Sequence, residues 1–229
     1  MEKTIDGLKY EAIVIRSDIV GWRLKSNWNN KNNEIRIPDN INGTPIKIIS
    51  ASAFSMNPFL HHIEIPDSVE LIEEKAFYLC NNLKTVTLYK SSHPNPHEIV
   101  SIYTGAFESC RNLKSFVSEK ACLLNGPDVF RDCFELSQVG HNNKIFGSIY
   151  SNCFRNCLGL KELHIISNNC RLWTNCFYGC TNLGKIRFDC EWLTAPKAIL
   201  NILSKKHIIC KKSSPLAEMA YSGSNVEVI

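Results

Sequence analysis

Eleven of the 229 residues are cysteines, and these thiols are the side chains whose spacing could most directly do chemistry. Cys153 and Cys157 leave a three-residue gap, as do Cys176 and Cys180. Two such pairs one repeat apart are a conceivable four-thiolate zinc set. His93 and His97 leave the same gap, but Pro94 and Pro96 oppose the helix on which such a pair chelates. His61 and His62 are simply adjacent. No HExxH, GxSxG, P-loop or GxGxxG pattern occurs, and the carboxylates form no acid–base pair. The composition therefore points away from an enzyme. A net charge of +4 is too mild for a dedicated nucleic-acid surface, and Lys205, Lys206, Lys211 and Lys212 read as a solvated edge. The first residues show no apolar run with a small-residue cleavage site, and no stretch approaches the roughly 20 apolar residues that cross a bilayer.

A repeat accounts for where the cysteines stand. A small residue followed by Phe recurs at Phe54, Phe77, Phe107, Phe130, Phe154 and Phe177, with spacings of 23, 30, 23, 24 and 23. Three residues later come Asn57, Cys80, Cys110, Cys133, Cys157 and Cys180. Six residues later stands an unbroken column of Leu60, Leu83, Leu113, Leu136, Leu160 and Leu183. Nine and eleven residues later come apolar pairs such as Ile63 and Ile65, or Ile186 and Phe188. The third and fourth copies are degenerate there, with Ser118 and His141 at the second position. Cys153 and Cys176 occupy the small-residue column, and Cys122 stands where the second copy has Val69. Eight cysteines thus fill repeat positions that call for a small buried residue, which makes them reduced core thiols and removes the case for zinc. Cys170, Cys190 and Cys210 fit no full column. Neither a metal nor a cofactor is expected.

Each copy reads as one coil of a solenoid: a short strand with period two, then a tight helical or irregular turn around the Phe, with neighbouring coils supplying the core. Seven extra residues between the second and third copies, 91–97, carry two prolines and read as an inserted loop. At the front, Leu8–Ile15, Ile19–Leu24 and Glu34–Ile37 read as strands of a hairpin cap. At the back, Pro196 opens a helix with Ala198, Ile199, Ile202 and Leu203 on one face, and a second short helix starts at Ser214-Pro215. Asn42-Gly43-Thr44 is read as a turn rather than as a glycosylation signal.

Segments such as IEIPDSVELIEEKAF (63–77), IEEKAFYLCNNLKTVTL (72–88) and NCFYGCTNLGKIRF (175–188) resemble the BspA-like leucine-rich repeats. The resemblance covers about 46–190. The expected architecture is an α/β class, right-handed leucine-rich-repeat solenoid of short parallel strands with helical or irregular turns, a β-hairpin N-terminal cap and a mixed α/β C-terminal cap. Its divisions are a cap over 1–45, six repeats of about 23 residues over 46–190, and a second cap over 191–229. The resemblance implies adhesion or host interaction at a cell surface. An intracellular effector or regulatory subunit is the alternative, and the cysteine usage favours a cytoplasmic or other reducing compartment.

The expected function is non-catalytic recognition of a protein partner on the solvent-facing side of the repeat sheet. No nucleic acid and no membrane insertion are expected. The outward positions, eight, ten and twelve residues after each Phe, would form one continuous face. It comprises His62 and Glu64; Thr85, Thr87 and Tyr89; Val117 and Glu119; Gln138 and Asn142; Glu162 and His164; and Lys185, Arg187 and Asp189. Pro66 and Gly140 are expected to point outward with them.

Overall fold

The computed structural model describes residues 1–26, 31–92, 99–211 and 225–228. Every Phe of the repeat column is flanked by two residues in the left-handed region, one two positions before it and one two positions after. Ser52, Lys75, Gly105, Asp128, Asn152 and Asn175 precede; Met56, Leu79, Ser109, Asp132, Asn156 and Gly179 follow, with φ between 54° and 77°. Seven of these twelve are Asn, Asp or Gly, the types that tolerate this conformation at least cost. These paired reversals, not helical turns, close each coil. The backbone between them is laddered to the next coil: Phe54 N–H donates to Ala76 C=O (2.7 Å), and Phe77, Phe107, Phe130 and Phe154 repeat the bond at 2.8 to 3.0 Å.

That edge carries the core. The six Phe rings stack along the solenoid with centroids 4.9, 4.9, 5.4, 5.8 and 6.2 Å apart. All eleven cysteines are buried, and none forms a disulfide. The column cysteines do more than fill space. The Cys80, Cys110, Cys133, Cys157 and Cys180 thiols donate to the carbonyls of Phe54, Phe77, Phe107, Phe130 and Phe154, at 2.7 to 3.1 Å. Each thus reaches the preceding coil. In the first coil Asn57 Oδ1 instead accepts from the Phe59 and Leu60 N–H groups. Burial pushes eight of the thiols up, Cys122 and Cys153 to about 12. The three cysteines outside the repeat columns are also core residues; Cys210, for example, pairs in register with Phe188 on one side and Val228 on the other.

The chain forms a β-solenoid of about eight turns, and most coils contribute two strands where the sequence suggests one. The first set makes a short parallel sheet of Glu34–Arg36, His62–Pro66, Thr85–Tyr89, Ser115–Val117 and Gln138–Val139. The second set makes a long sheet whose parallel run is Thr44–Ile49, Leu71–Ile72, Ile99–Tyr103, Ala121–Asn125, Lys144–Phe146, Glu162–Ile166, Lys185–Asp189, His207–Cys210 and Val226–Val228. Among the described residues helix is confined to Lys197–Leu203 and a short 3-10 turn at His141–Asn143, so the α/β expectation gives way to a nearly all-β architecture.

The fourth coil breaks the regularity. Gly140, at φ 64° and ψ −159°, leads into His141–Asn143, after which Lys144–Phe146 joins the long sheet. This strand pairs with Ala121–Asn125 on one side and with Glu162–Ile166 on the other. Ile145 lies 15 residues after its Phe but sits opposite Ile165, which lies 11 after its own. The register therefore slips by four residues. The short sheet ends at Gln138–Val139, and the repeat strands that follow extend the long sheet instead. Their complement, Asn169–Arg171 with Trp192–Thr194, starts a third, two-stranded sheet.

The N-terminal cap is a three-stranded meander rather than a hairpin. Glu2–Ile5 precedes Leu8–Ile15 and Asp18–Ser26, and the last of these pairs in parallel with Thr44–Ile49. Asn42-Gly43 is a tight turn with φ of 54° and 78°, joining Asn40–Ile41 to Thr44–Ile49. At the other end Pro196 is the N-cap of Lys197–Leu203, which buries Ile199 and Leu203; Leu200, not Ala198, joins Ile202 against the core. The helix expected from Ser214, and His93 and His97 of the inserted loop, lie outside the described residues. Where that loop begins, the Asp67 carboxylate accepts from the N–H and hydroxyl of Ser91, tying the segment to an earlier coil.

Candidate functional site

Strand periodicity inside a solenoid leaves every second side chain facing outward, and neighbouring strands place these in rows. On the short sheet, His62 Nδ1 lies 2.7 Å from Thr85 Oγ1. Arg36 pairs with Glu64 and lays its guanidinium 3.8 Å from the centre of the Tyr89 ring. The Tyr89 hydroxyl donates to the Ile37 carbonyl at 2.7 Å, and burial raises its pKa against the opposing effect of Arg36. Arg36, His62 and Glu64 rim a shallow depression of about 470 Å³ that Thr85 and Thr87 also line. Val117 is half-buried on the next strand, and Gln138 is exposed on the last.

The second group lies on the long sheet. His164 Nε2 donates to one Asp189 carboxylate oxygen (2.7 Å) and Arg187 Nε to the other (3.0 Å). Burial works to raise the Asp189 pKa, but the hydrogen bonds and charges of Arg187 and His164 outweigh it, so the carboxyl lies below the usual range. Beside them, Lys144, Glu162, Lys185 and Asn142 border a depression of about 240 Å³. Among the described residues no hydroxyl or thiol hydrogen-bonds His164, so the arrangement orients a charge pair without arming a nucleophile. Likewise, no cluster of three or more His, Cys, Asp or Glu is placed to hold a metal ion.

The residues expected on one face therefore fall into two groups. His62, Glu64, Thr85, Thr87, Tyr89, Val117 and Gln138 share the short sheet, while Glu162, His164, Lys185, Arg187 and Asp189 share the long one. Between them the row through Asn142 is interrupted. Asn142 is in the left-handed region, and Lys144 takes the place opposite His164. Glu119 points away from the strand and meets His141 at 3.1 Å. Pro66 and Gly140 are buried, contrary to the expected alternation, because the strands end or bend there. Arg36 and Lys144 were not expected. Arg36 stands on a strand before the first repeat, and Lys144 is displaced by the register slip; the run Gly140-His141-Asn142-Asn143 was the available signal.

The repeat column, its laddered edge and its stacked rings have a counterpart among sequence families. The profile described as "BspA type Leucine rich repeat region" matches residues 47–184 in six copies. This chain belongs to that family. Proteins of this kind are generally non-enzymatic repeat scaffolds. Among solved structures, a leucine-rich repeat protein of Treponema pallidum is 20% identical, with 90% of this chain and 95% of that chain covered and a TM-score of 0.55. One from Bacteroides capillosus is 22% identical over 61% of this chain and 97% of its own, at a TM-score of 0.48. A leucine-rich cell surface protein of Faecalibacterium prausnitzii is 16% identical over 100% and 94%, at 0.39. At such identities the first supports the fold alone. No curated protein matches the sequence. No helix among the described residues is long and apolar enough to cross a membrane.

Proposed function

We propose that this BspA-type repeat protein is a non-catalytic recognition scaffold that holds a protein partner on the solvent-facing side of its sheets. The observation that supports this is the fixing of polar side chains on a stiff surface. Arg36 is held by Glu64 and Tyr89, and His164 and Arg187 are both held by Asp189, so their donors are oriented before any partner arrives. Interfaces favour such pre-set Arg and Tyr groups, because little rotamer entropy remains to be lost on binding.

The test is affinity capture with two paired variants, His62→Ala with Thr87→Ala on the short sheet and His164→Ala with Arg187→Ala on the long sheet. At least one pair should abolish a captured partner while leaving the thermal midpoint within a few degrees. Identical capture by both would sink the reading. Of the two settings open to such a scaffold, eleven cysteines without a disulfide favour an intracellular effector or regulatory subunit over a surface adhesin, since an oxidising compartment would put them at risk.

A further inference from the structure

Alternation should make the outer face of the long sheet polar, yet one row on it is mainly apolar. The strand registers across eight neighbouring strands align Arg23, Ile48, Leu71, Ser101, Leu123, Phe146, Ile166 and Asp189, each directly opposite the next. Five of the eight are large and apolar, and all eight are neither fully buried nor fully exposed. Their inward neighbours Ile49, Ile72, Ile102 and Leu124 are the solenoid core, so the stripe is an outer surface. Among the described residues no further layer of secondary structure packs on it. Ile99 and Tyr103, at 45% and 40% exposure, widen the apolar surface on either side of Ser101.

The sequence of the row also says what fits it. It opens with a cation, Arg23, which Glu73 pairs loosely at 3.9 Å, closes with an anion, Asp189, which Arg187 and His164 also hold, and is apolar between except for Ser101. Turned end for end, it is its own complement. We propose that the outer face of the long sheet is the interface of a two-fold homodimer, with the axis running along the strands. This rests on the reading that the sheets' outer sides are docking surfaces, and it assigns the long sheet to a second copy of this chain. In that arrangement Arg23 meets Asp189 of the second copy, Ile48 meets Ile166, Leu71 meets Phe146, and Ser101 meets Leu123. An axis across the strands would instead set Arg23 against Arg23. Like-twisted sheets pack face to face with strands nearly aligned, as the favoured axis requires. On the flanking row, Lys144 forms no ion pair among the described residues; the dimer brings it near Glu70 of the second copy, the residue just before the strand Leu71–Ile72, whose carboxylate also pairs with Lys47.

The size is adequate. Seven inter-strand steps of about 4.8 Å make the stripe about 34 Å long, and three outward rows make it about 20 Å wide. That gives about 700 Å² per copy, close to the roughly 800 Å² per partner of a standard interface. With few large anchors the expected dissociation constant is micromolar rather than nanomolar.

Sedimentation equilibrium over a concentration series tests this. A dimer with a dissociation constant of about 1 to 100 µM is expected. Phe146→Glu should weaken it at least tenfold. Ser101→Arg, a change at a partly open position that the monomer accommodates, should do the same and guards against a folding artefact. Asp189→Lys should also weaken it, and adding Arg23→Asp should restore association to within about threefold. Arg23 and Asp189 are about 34 Å apart within one chain, so only a contact between copies can carry that restoration. A monomer at all concentrations up to about 0.5 mM, a dimer indifferent to Ser101→Arg, or no restoration by the double change would each overturn the proposal. The scaffold reading fails separately, if neither the His62 and Thr87 pair nor the His164 and Arg187 pair alters capture.

Discussion

Coils one to three lay a short sheet beside the long one and keep neighbouring Phe rings 4.9 Å apart, whereas beyond Gly140 the short sheet is gone and the rings spread to 5.8 and 6.2 Å. The thiol-to-carbonyl bonds do not follow that trend: 2.9 to 3.1 Å in the early coils, 3.1 and 2.7 Å in the late ones. The sheets can thus be dislocated by four residues while the Phe edge runs through unbroken. The edge, with its left-handed reversals and backbone ladder, defines the repeat, and the sheets are free to vary around it. Cysteine is also unevenly shared, with four residues before Gly140 and seven after it.

The largest expected effect exploits that imbalance. Burial raises the pKa of eight thiols in the folded chain above the ordinary value near 9, five of them beyond Gly140. A thiol raised in this way contributes its full stability below the unfolded value and loses it as pH climbs toward the folded one. Stability should therefore hold up to about pH 8.5 and then fall between about pH 9 and 12, with a limiting slope of at most about 11 kcal/mol per pH unit for the eight together. The later half should open first. Fluorescence of Trp173 and Trp192 ought to change at lower pH than that of the buried Trp22, with single-Trp variants separating the signals. A single transition for all three would mean that the halves are not distinct units.

Next in size is the ring stack. Phe107 stacks on Phe77 and Phe130 and meets Phe116 edge-on at 5.4 Å, whereas Phe177 is paired only with Phe154, at 6.2 Å. Phe107→Ala should cost about 4 to 5 kcal/mol and Phe177→Ala about 3 kcal/mol in urea denaturation. Equal losses would show that ring spacing does not weaken the later coils. Smallest is the joint itself. Gly140 has a backbone conformation nearly restricted to glycine, and an added Cβ would fall 2.6 Å from the Lys144 carbonyl oxygen. Gly140→Ala should cost about 2 kcal/mol, and hydrogen exchange should report the loosening first at Lys144–Phe146, which couples the two halves. Uniform loosening would place the joint elsewhere.

Much of this is legible in the sequence, because the Phe, Cys and Leu columns recur at fixed spacing and each column has one physical job. The tight Asn42-Gly43 turn and the helix opened by Pro196 announce themselves by local chemistry. The second strand of each coil is silent for a different reason. Segments such as Leu71–Ile72 are too short to show a period, and in Ala121–Asn125 the outward Leu123 is as apolar as the inward Leu124. That loss of alternation is the apolar stripe itself. The register slip is half visible: Ser118 and His141 mark degenerate copies, but a degenerate repeat does not say whether its strand weakens or changes sheets. Ser118 stays buried and bonds Lys120, while His141 leaves the core for Glu119. Glu2–Ile5 goes unnoticed because four residues behind an Asp6-Gly7 turn carry little pattern of their own.

The thiol bonds give the molecule a sense of direction. Each coil offers a carbonyl forward and reaches one back, so the stack is a head-to-tail polymer whose two ends are chemically unlike. The first coil, with Asn57 turned onto its own backbone, makes no backward bond of this kind. A segment copied from any column to the same column one repeat on arrives with both connections already matched. Length is then the property of this protein that gene duplication can change most easily, and a longer descendant would inherit its spine without redesign.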